Sequence, residues 1–198
     1  ALARFLPRLK DEAVQKIPAK YRNANLTVKT GDDGRVFWGG IGRRSLRLSP
    51  DEYLWTEIDG KRIFYSLETF FQANLSILPR LTAGIRSLGL FGQDKIFFDL
   101  YGGVGLFGIV FCGEVGKVVL VEENVHAVVC ARHNIAFNHI ENMQLMEGRM
   151  ETAGPELFNK FDAPEAVVMV DPPRAGLSDE VVTLLGRTKH LANLLYLS

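Results

Sequence analysis

Residues 96–108 read Ile96-Phe97-Phe98-Asp99-Leu100-Tyr101-Gly102-Gly103-Val104-Gly105-Leu106-Phe107-Gly108. A short apolar run, Ile96–Leu100, ends in a cluster of glycines and passes into a second apolar run over 104–113. The first run has the length of a buried strand, and the second suits a helix laid against it. Glycines between the two let the backbone turn sharply and approach a ligand closely. Working outward, the alternation repeats. Lys117–Val121 reads as a strand, 124–138 as a helix capped by Asn124, and Met143–Met146 as a strand. Ala166–Val170 is a continuous apolar strand, 178–189 a helix, and Leu194–Leu197 a final strand. Upstream, 68–88 reads as a helix with Phe71, Leu75, Leu78, Leu81 and Ile85 on one face, although Pro79 would bend it. Five strands alternating with helices predict an α/β domain with a mainly parallel sheet.

The chain before residue 67 has another texture. Residues 1–22 place Leu6, Leu9, Ala13, Val14 and Ile17 at helical spacing, up to Pro18. Leu26-Thr27-Val28 and Arg35-Val36-Phe37-Trp38 alternate like strands. Tyr53–Ile58 and Lys61–Ser66 flank Asp59-Gly60, a two-residue hairpin turn whose positions both need positive φ. Residues 1–66 are therefore expected to form a small antiparallel α+β region ahead of an α/β domain over 67–198.

Charge is balanced overall, with 23 basic and 23 acidic side chains, yet residues 1–50 carry 11 Lys or Arg against 4 Asp or Glu. A basic first quarter on an acidic body fits a nucleic-acid-facing surface, and equally a solvated helix face. No stretch approaches the roughly 18 apolar residues that span a bilayer, so no membrane partner is expected. The start, Ala1-Leu2-Ala3-Arg4, has neither a Met nor the apolar run of a signal peptide, and reads as that of a processed or excised chain. Cys112 and Cys130, both in apolar surroundings, exclude a disulfide scaffold and a Cys-based zinc site and fit a reducing cytoplasm. His126, His133, His139 and His190 show no metal-ligand grouping, so no metal is expected. His126 and His133, two helical turns apart, are expected on an exposed face.

Ligands of parallel α/β sheets bind outside the carboxyl ends of the strands, so the residues there carry the function. Gly103–Gly108 matches G-x-G-x-x-G, a nicotinamide-dinucleotide pattern that also occurs as a plain strand-to-helix turn. Glu122, after the second strand, is placed to accept hydrogen bonds from a ribose diol, or with Glu123 to cap the next helix. Asp99 favours one adenosine ligand over the other. A carboxylate before the loop repels a pyrophosphate and attracts the sulfonium of S-adenosylmethionine (SAM). After the fourth strand comes Val170-Asp171-Pro172-Pro173-Arg174-Ala175-Gly176. Two prolines fix an extended path and remove two N–H donors, which presents Asp171 and nearby carbonyls to the crevice.

Three segments in one order resemble the SAM-dependent RNA uracil-C5 methyltransferases, the enzymes that make 5-methyluridine in tRNA and large-subunit rRNA. They are Phe70-Phe71-Gln72-Ala73-Asn74, Asp99-Leu100-Tyr101-Gly102-Gly103-Val104-Gly105 and Asp171-Pro172-Pro173-Arg174-Ala175-Gly176. The resemblance covers roughly residues 35–198. It implies a Rossmann-like SAM domain, lacking its C-terminal strands, and an RNA partner. The family's cofactor contacts fall on Gln72, Tyr101, Glu122 and Asp171, with the loop backbone from Gly102 to Gly105. Gln72 would meet the methionine end, Glu122 the ribose, and Asp171 the methyl-bearing end. Three positions depart from the family pattern: Gly103 replaces a Cys, Leu106 an Asn, and Arg149 a small acidic or polar residue near the adenine.

The resemblance also implies a chemistry. A Cys thiolate adds to uracil C6 so that C5 becomes enolate-like and accepts a methyl group, and a Glu then removes the C5 proton. That Cys lies in a Ser-Cys-Asn-Pro motif after the fifth strand, where this chain reads Leu194-Leu195-Tyr196-Leu197-Ser198 and stops. The expectation is thus a SAM-binding piece with no catalytic residue of its own, inactive alone, with an open sheet edge that invites self-association. Cys112 and Cys130 are expected to pack as small apolar side chains. The family's RNA-binding β-barrel and iron–sulfur cysteines are not visible. Two other readings stay open: a nicotinamide-dependent oxidoreductase, and a non-catalytic RNA-binding module built on the basic first fifty residues.

Overall fold

A computed structural model describes residues 54–66, 68–72, 75–160, 165–189 and 191–197, together with the backbone of 26–30 and 36–40. The helix expected over 1–22 lies outside the described residues. Strands β1 (Leu26–Thr30) and β2 (Val36–Gly40) pair antiparallel, with Leu26 opposite Gly40. β3 (Leu54–Ile58) and β4 (Lys61–Tyr65) form the expected hairpin. Its turn residues Asp59 and Gly60 have φ of 51° and 74°, the two left-handed positions that Asp-Gly is suited to supply.

Five strands make the main sheet: β5 (Ile96–Leu100), β6 (Lys117–Glu122), β7 (Met143–Glu147), β8 (Ala166–Val170) and β9 (Leu191–Tyr196). They lie in the order β7-β6-β5-β8-β9, and every neighbouring pair is parallel. The helices are α1 (Leu78–Ser87), α2 (Leu106–Phe111), α3 (Val125–Phe137), α4 (Met150–Lys160) and α5 (Asp179–Arg187). The chain steps outward from β5 to β7, then returns to β8 on the other side of β5. The strand order thus reverses between β5 and β8, the place where such sheets open a crevice.

Both faces of the sheet are covered, which is why β8 is buried along its whole length and reads as an unbroken apolar run. On one face Phe97, Val118, Val167 and Met169 pack with α2 and with Leu54, Ile58, Ile63 and Tyr65 of the hairpin. On the other, Phe98, Val119, Val168 and Val170 pack against Met150, Leu157, Val181 and Leu185 of α4 and α5.

Asn134 of α3 and the C-cap residue Asn138 hold the hairpin to the sheet domain. Asn134, wholly buried, accepts a hydrogen bond from Phe64 N–H at 2.8 Å and donates to the carbonyls of Phe64 and Val104, each at 2.9 Å. One turn on, Asn138 accepts from Arg62 N–H at 3.0 Å and donates to the Arg62 carbonyl at 2.8 Å. Each amide thus imitates a neighbouring strand for β4. Across the opposite end, Arg86 of α1 joins Asp59 at 2.6 Å and Glu114 at 2.7 Å.

Three expectations change. The helix foreseen over 68–88 begins as a 3-10 turn at Leu75–Ile77 and becomes α-helical only at Leu78. Pro79 explains the start, since its missing N–H is tolerated only in a first turn, where it now sits. Residues 68–72 follow an irregular path, with the Phe71 ring stacked on Tyr65 at 4.1 Å. Helix α4 was hidden by its interior Gly154-Pro155, both helix-weakening residues. Gly154 is needed there, because a Cβ would strike Met150 and Leu184 between α4 and α5. His133 is half-buried and not on an open face: its ring meets Phe64 edge-on at 4.7 Å where α3 packs on β4. Among the described residues no helix is long and apolar enough to cross a membrane, and no cluster of His, Cys, Asp or Glu is set to hold a metal.

Candidate functional site

The glycine loop leaves β5 and crosses the end of β6. Gly102 N–H donates to the Val121 carbonyl at 3.1 Å, and Gly105 N–H donates to the Gly102 carbonyl at 2.8 Å. Tyr101, Gly103 and Gly105 all have left-handed φ, at 59°, 55° and 87°. Only glycine adopts that conformation without cost, so two of the three positions are explained by residue type. Gly102 has a different reason. A Cβ there would run into the Leu120 side chain and stand 2.9 Å from Asp99 Cγ.

Glu122 closes the loop from the end of β6. One carboxylate oxygen accepts from Gly103 N–H at 2.8 Å and the other from Asn124 N–H at 2.7 Å. Each oxygen keeps a lone pair for a further donor such as a sugar hydroxyl. Asn124 caps α3 as foreseen, accepting from His126 N–H at 2.9 Å.

Asp171 follows β8 directly beside the end of β5, and its N–H donates to the Leu100 carbonyl at 3.4 Å. The Gln72 amide donates to Asp171 Oδ2 at 3.1 Å. Two residues far apart in sequence, both singled out from it, thus meet at the switch point between β5 and β8. Burial raises the Asp171 carboxyl above its usual range, opposed by the Gln72 hydrogen bond.

Asp99 lies beneath the loop rather than on the crevice wall. It is 0% exposed; Oδ2 accepts from Gly108 N–H at 2.8 Å, and Oδ1 has no hydrogen-bond partner. Burial pushes its pKa from the ordinary 3.8 up to about 7, against the Gly108 hydrogen bond and helped by the charges of Asp171 and Glu122. Between those two values the folded state holds a proton that the unfolded chain has lost. The ionisation of Asp99 therefore weighs against folding increasingly as pH rises from about 4 towards about 7, and fully above it. Asp99→Asn should flatten that part of the stability–pH curve, which urea unfolding at pH 5 and pH 7.5 measures.

The outer end of the crevice holds a network with no common spacing in the sequence, and sequence reading did not assemble it. Arg149, after β7, lies 3.6 Å from both Glu123 and Glu151. Ser178 donates to Glu151 at 3.0 Å. Burial raises the half-buried Tyr101 hydroxyl above its usual range, with Glu151 and Glu123 adding to the shift and Arg149 opposing it. Leu106 is buried and serves the core. Cys112 and Cys130 are buried as well. Tyr101, Gly102, Glu122 and Asp171 thus stand at the carboxyl ends of β5, β6 and β8, with Gln72 bonded to Asp171, Gly105 at the start of α2 and Asp99 beneath the loop.

Residues 51–198 match the family model "tRNA (Uracil-5-)-methyltransferase". An RNA methyltransferase of Lactobacillus johnsonii is 33% identical over 152 residues, covering 75% of this chain and 32% of that protein. The tRNA (uracil(54)-C(5))-methyltransferase of Saccharomyces cerevisiae is 32% identical over 158 residues, covering 76% of this chain and 24% of the yeast protein. The chain therefore spans about a quarter to a third of the length of these relatives. Among solved structures, the Pyrococcus abyssi tRNA (uracil-54, C5)-methyltransferase in complex with S-adenosyl-L-homocysteine superposes with a TM-score of 0.58 at 28% identity. That match covers 73% of this chain and 33% of the archaeal one. With three quarters of its residues inside the family's bounds, the chain belongs to the tRNA (uracil-5-)-methyltransferase family.

Proposed function

We propose that this chain is the cofactor-binding part of a SAM-dependent methyltransferase acting on C5 of uridine in tRNA. The observation that carries the proposal is the meeting of Gln72 with Asp171 beside the end of β5, next to a glycine loop that Glu122 ties down. Among the described residues no Lys or Arg is an electrostatic partner of Asp99 or Asp171. Such a donor set fits a ligand with a sugar diol and a cationic sulfur, and it opposes a pyrophosphate. The orphaned Oδ1 of Asp99 speaks the same way, as a buried acceptor that a cation above it would compensate.

In this reading Glu122 holds the ribose hydroxyls while its bonds to Gly103 and Asn124 keep the loop in place. Gln72 and Asp171 orient the methionine end, and the missing side chain of Gly102 leaves room for close approach. SAM, when bound, supplies an electrophilic methyl group. Attack by uracil C5 needs a thiolate added at C6. Neither cysteine of these 198 residues suits that task, because both are buried and burial raises the Cys112 thiol further from its thiolate. The isolated polypeptide is thus expected to bind cofactor and not to methylate RNA. Residues 1–66 would form the RNA-facing region and 67–198 the cofactor region, with Leu54, Ile58, Ile63 and Tyr65 of the hairpin packed into the core of the second.

Calorimetry with S-adenosylhomocysteine and with NADH tests the proposal. Binding of the first and not of the second is expected. Glu122→Ala should weaken that binding at least tenfold, since it removes the diol acceptor and two loop tethers together. Affinity for NADH, or none for either ligand, would refute the reading.

A further inference from the structure

We infer that Asp99, Asp171 and Glu122 make the crevice a reader of ligand charge, which binds the cationic methyl donor more tightly than the neutral demethylated product and releases a proton from Asp99 as the donor enters. The inference rests on the proposed reading of the crevice as an adenosyl-ligand site, and it adds how that site tells substrate from product.

Geometry comes first. Asp99 is sealed from water, with one oxygen bonded to Gly108 N–H and the other bonded to nothing. The loop that covers it is as thin as a backbone can be, because Gly102 lies against the Asp99 carboxyl where any side chain would collide. The charged groups that act on Asp99 are Asp171, just beyond β8, and Glu122, at the end of β6; from α2 it meets only the Gly108 N–H. Its electrostatic partners include no Lys, Arg or His among the described residues. The carboxylates of Asp171 and Glu122 thus act on the buried Asp99 carboxyl from β8 and β6, with no cation among its partners in the described residues.

Two physical consequences follow. Without a ligand, the mutual repulsion and the dry surroundings favour a protonated Asp99 near neutral pH. A ligand bearing a net positive charge reverses that preference and expels the proton. SAM carries an ammonium, a carboxylate and a sulfonium, one net positive charge. S-adenosylhomocysteine lacks the sulfonium and is neutral overall. Loss of the methyl group therefore removes the charge that the acids hold, which loosens the product. Below pH 7 the donor must also displace the proton, so its affinity falls by up to about tenfold per pH unit while the product's stays level.

The test uses the chain as it is, with S-adenosylhomocysteine and with sinefungin, a stable analogue whose ammonium replaces the sulfonium. Calorimetry at pH 5.5 and 7.5 gives the affinity ratio. Repeating it at pH 6.5 in two buffers of different ionisation enthalpy gives the protons released. Sinefungin should gain about tenfold over S-adenosylhomocysteine between the two pH values and release a sizeable fraction of a proton. Asp99→Asn should abolish both effects. Asp171→Asn should reduce the ratio and also shrink the proton release, because the Asp171 charge helps to keep Asp99 protonated. Equal pH profiles for the two ligands, with no proton released, would overturn the inference and leave the adenosyl reading standing. Failure of both ligands to bind would overturn that reading and this inference with it.

Discussion

Gly102→Ala should cost the protein its ligand and part of its stability, although it adds one methyl group. The new Cβ would collide with Leu120 and Asp99, and both are 0% exposed and packed against the sheet. Neither can swing away into solvent. Overpacking of this kind costs about 1–3 kcal/mol, and the loop must lift to relieve it. Lifting breaks the Gly102–Val121 and Gly103–Glu122 hydrogen bonds that set the crevice. Affinity for S-adenosylhomocysteine is expected to fall at least tenfold, with a lower melting temperature. Gly103→Ala is the matched control. A Cβ there meets nothing within 4 Å, so only the left-handed φ of 55° is strained, by about 1 kcal/mol. Calorimetry and thermal unfolding of both variants separate the effects. Equal ligand losses would mean that backbone strain, and not the close approach to Asp99, governs the loop.

Asn134→Ala should produce the largest loss of stability. One buried amide satisfies a backbone N–H and two carbonyls, one of them across the join between α3 and the glycine loop. Truncation removes all three hydrogen bonds, and a buried group that loses its partner costs on the order of 1–3 kcal/mol. A total near 3 kcal/mol lowers the melting temperature by about 6–12 °C in a domain of this size. Asn134→Asp should be worse. It keeps the acceptor for Phe64 N–H and turns the two donors into a carboxylate facing two carbonyl oxygens. Urea unfolding measures both. An Asn134→Ala protein as stable as the parent would show that the hairpin is held by its apolar face alone.

Both residues are instructive about legibility. Gly102 was visible in the sequence as part of a loop. That its missing Cβ makes room for Asp99 was not, because the contact depends on where Leu120 of the next strand stands. Asn134 gave no signal at all, being a polar residue inside a helix pattern. Its meaning comes from β4, which reaches it only after the chain has folded back. His133 misled for the same reason: the spacing with His126 is a true helical repeat, but the face it marks is covered by Phe64.

By itself the sequence determined what short-range chemistry determines. Apolar runs of strand length set β5, β6 and β8; the Asp-Gly pair set the hairpin turn; Asn124 set the start of α3; and the glycines set the loop after β5. Those features depend on residues a few positions apart, whose steric and hydrogen-bonding preferences act before any tertiary contact forms. Only the tertiary structure decided which strand ends lie side by side, and hence that Gln72 meets Asp171, that Asp99 is shut beneath the loop, and that Pro79 opens a helix instead of bending one. Burial and pairing are sums over neighbours distant in the chain, and no local pattern encodes which neighbours those will be.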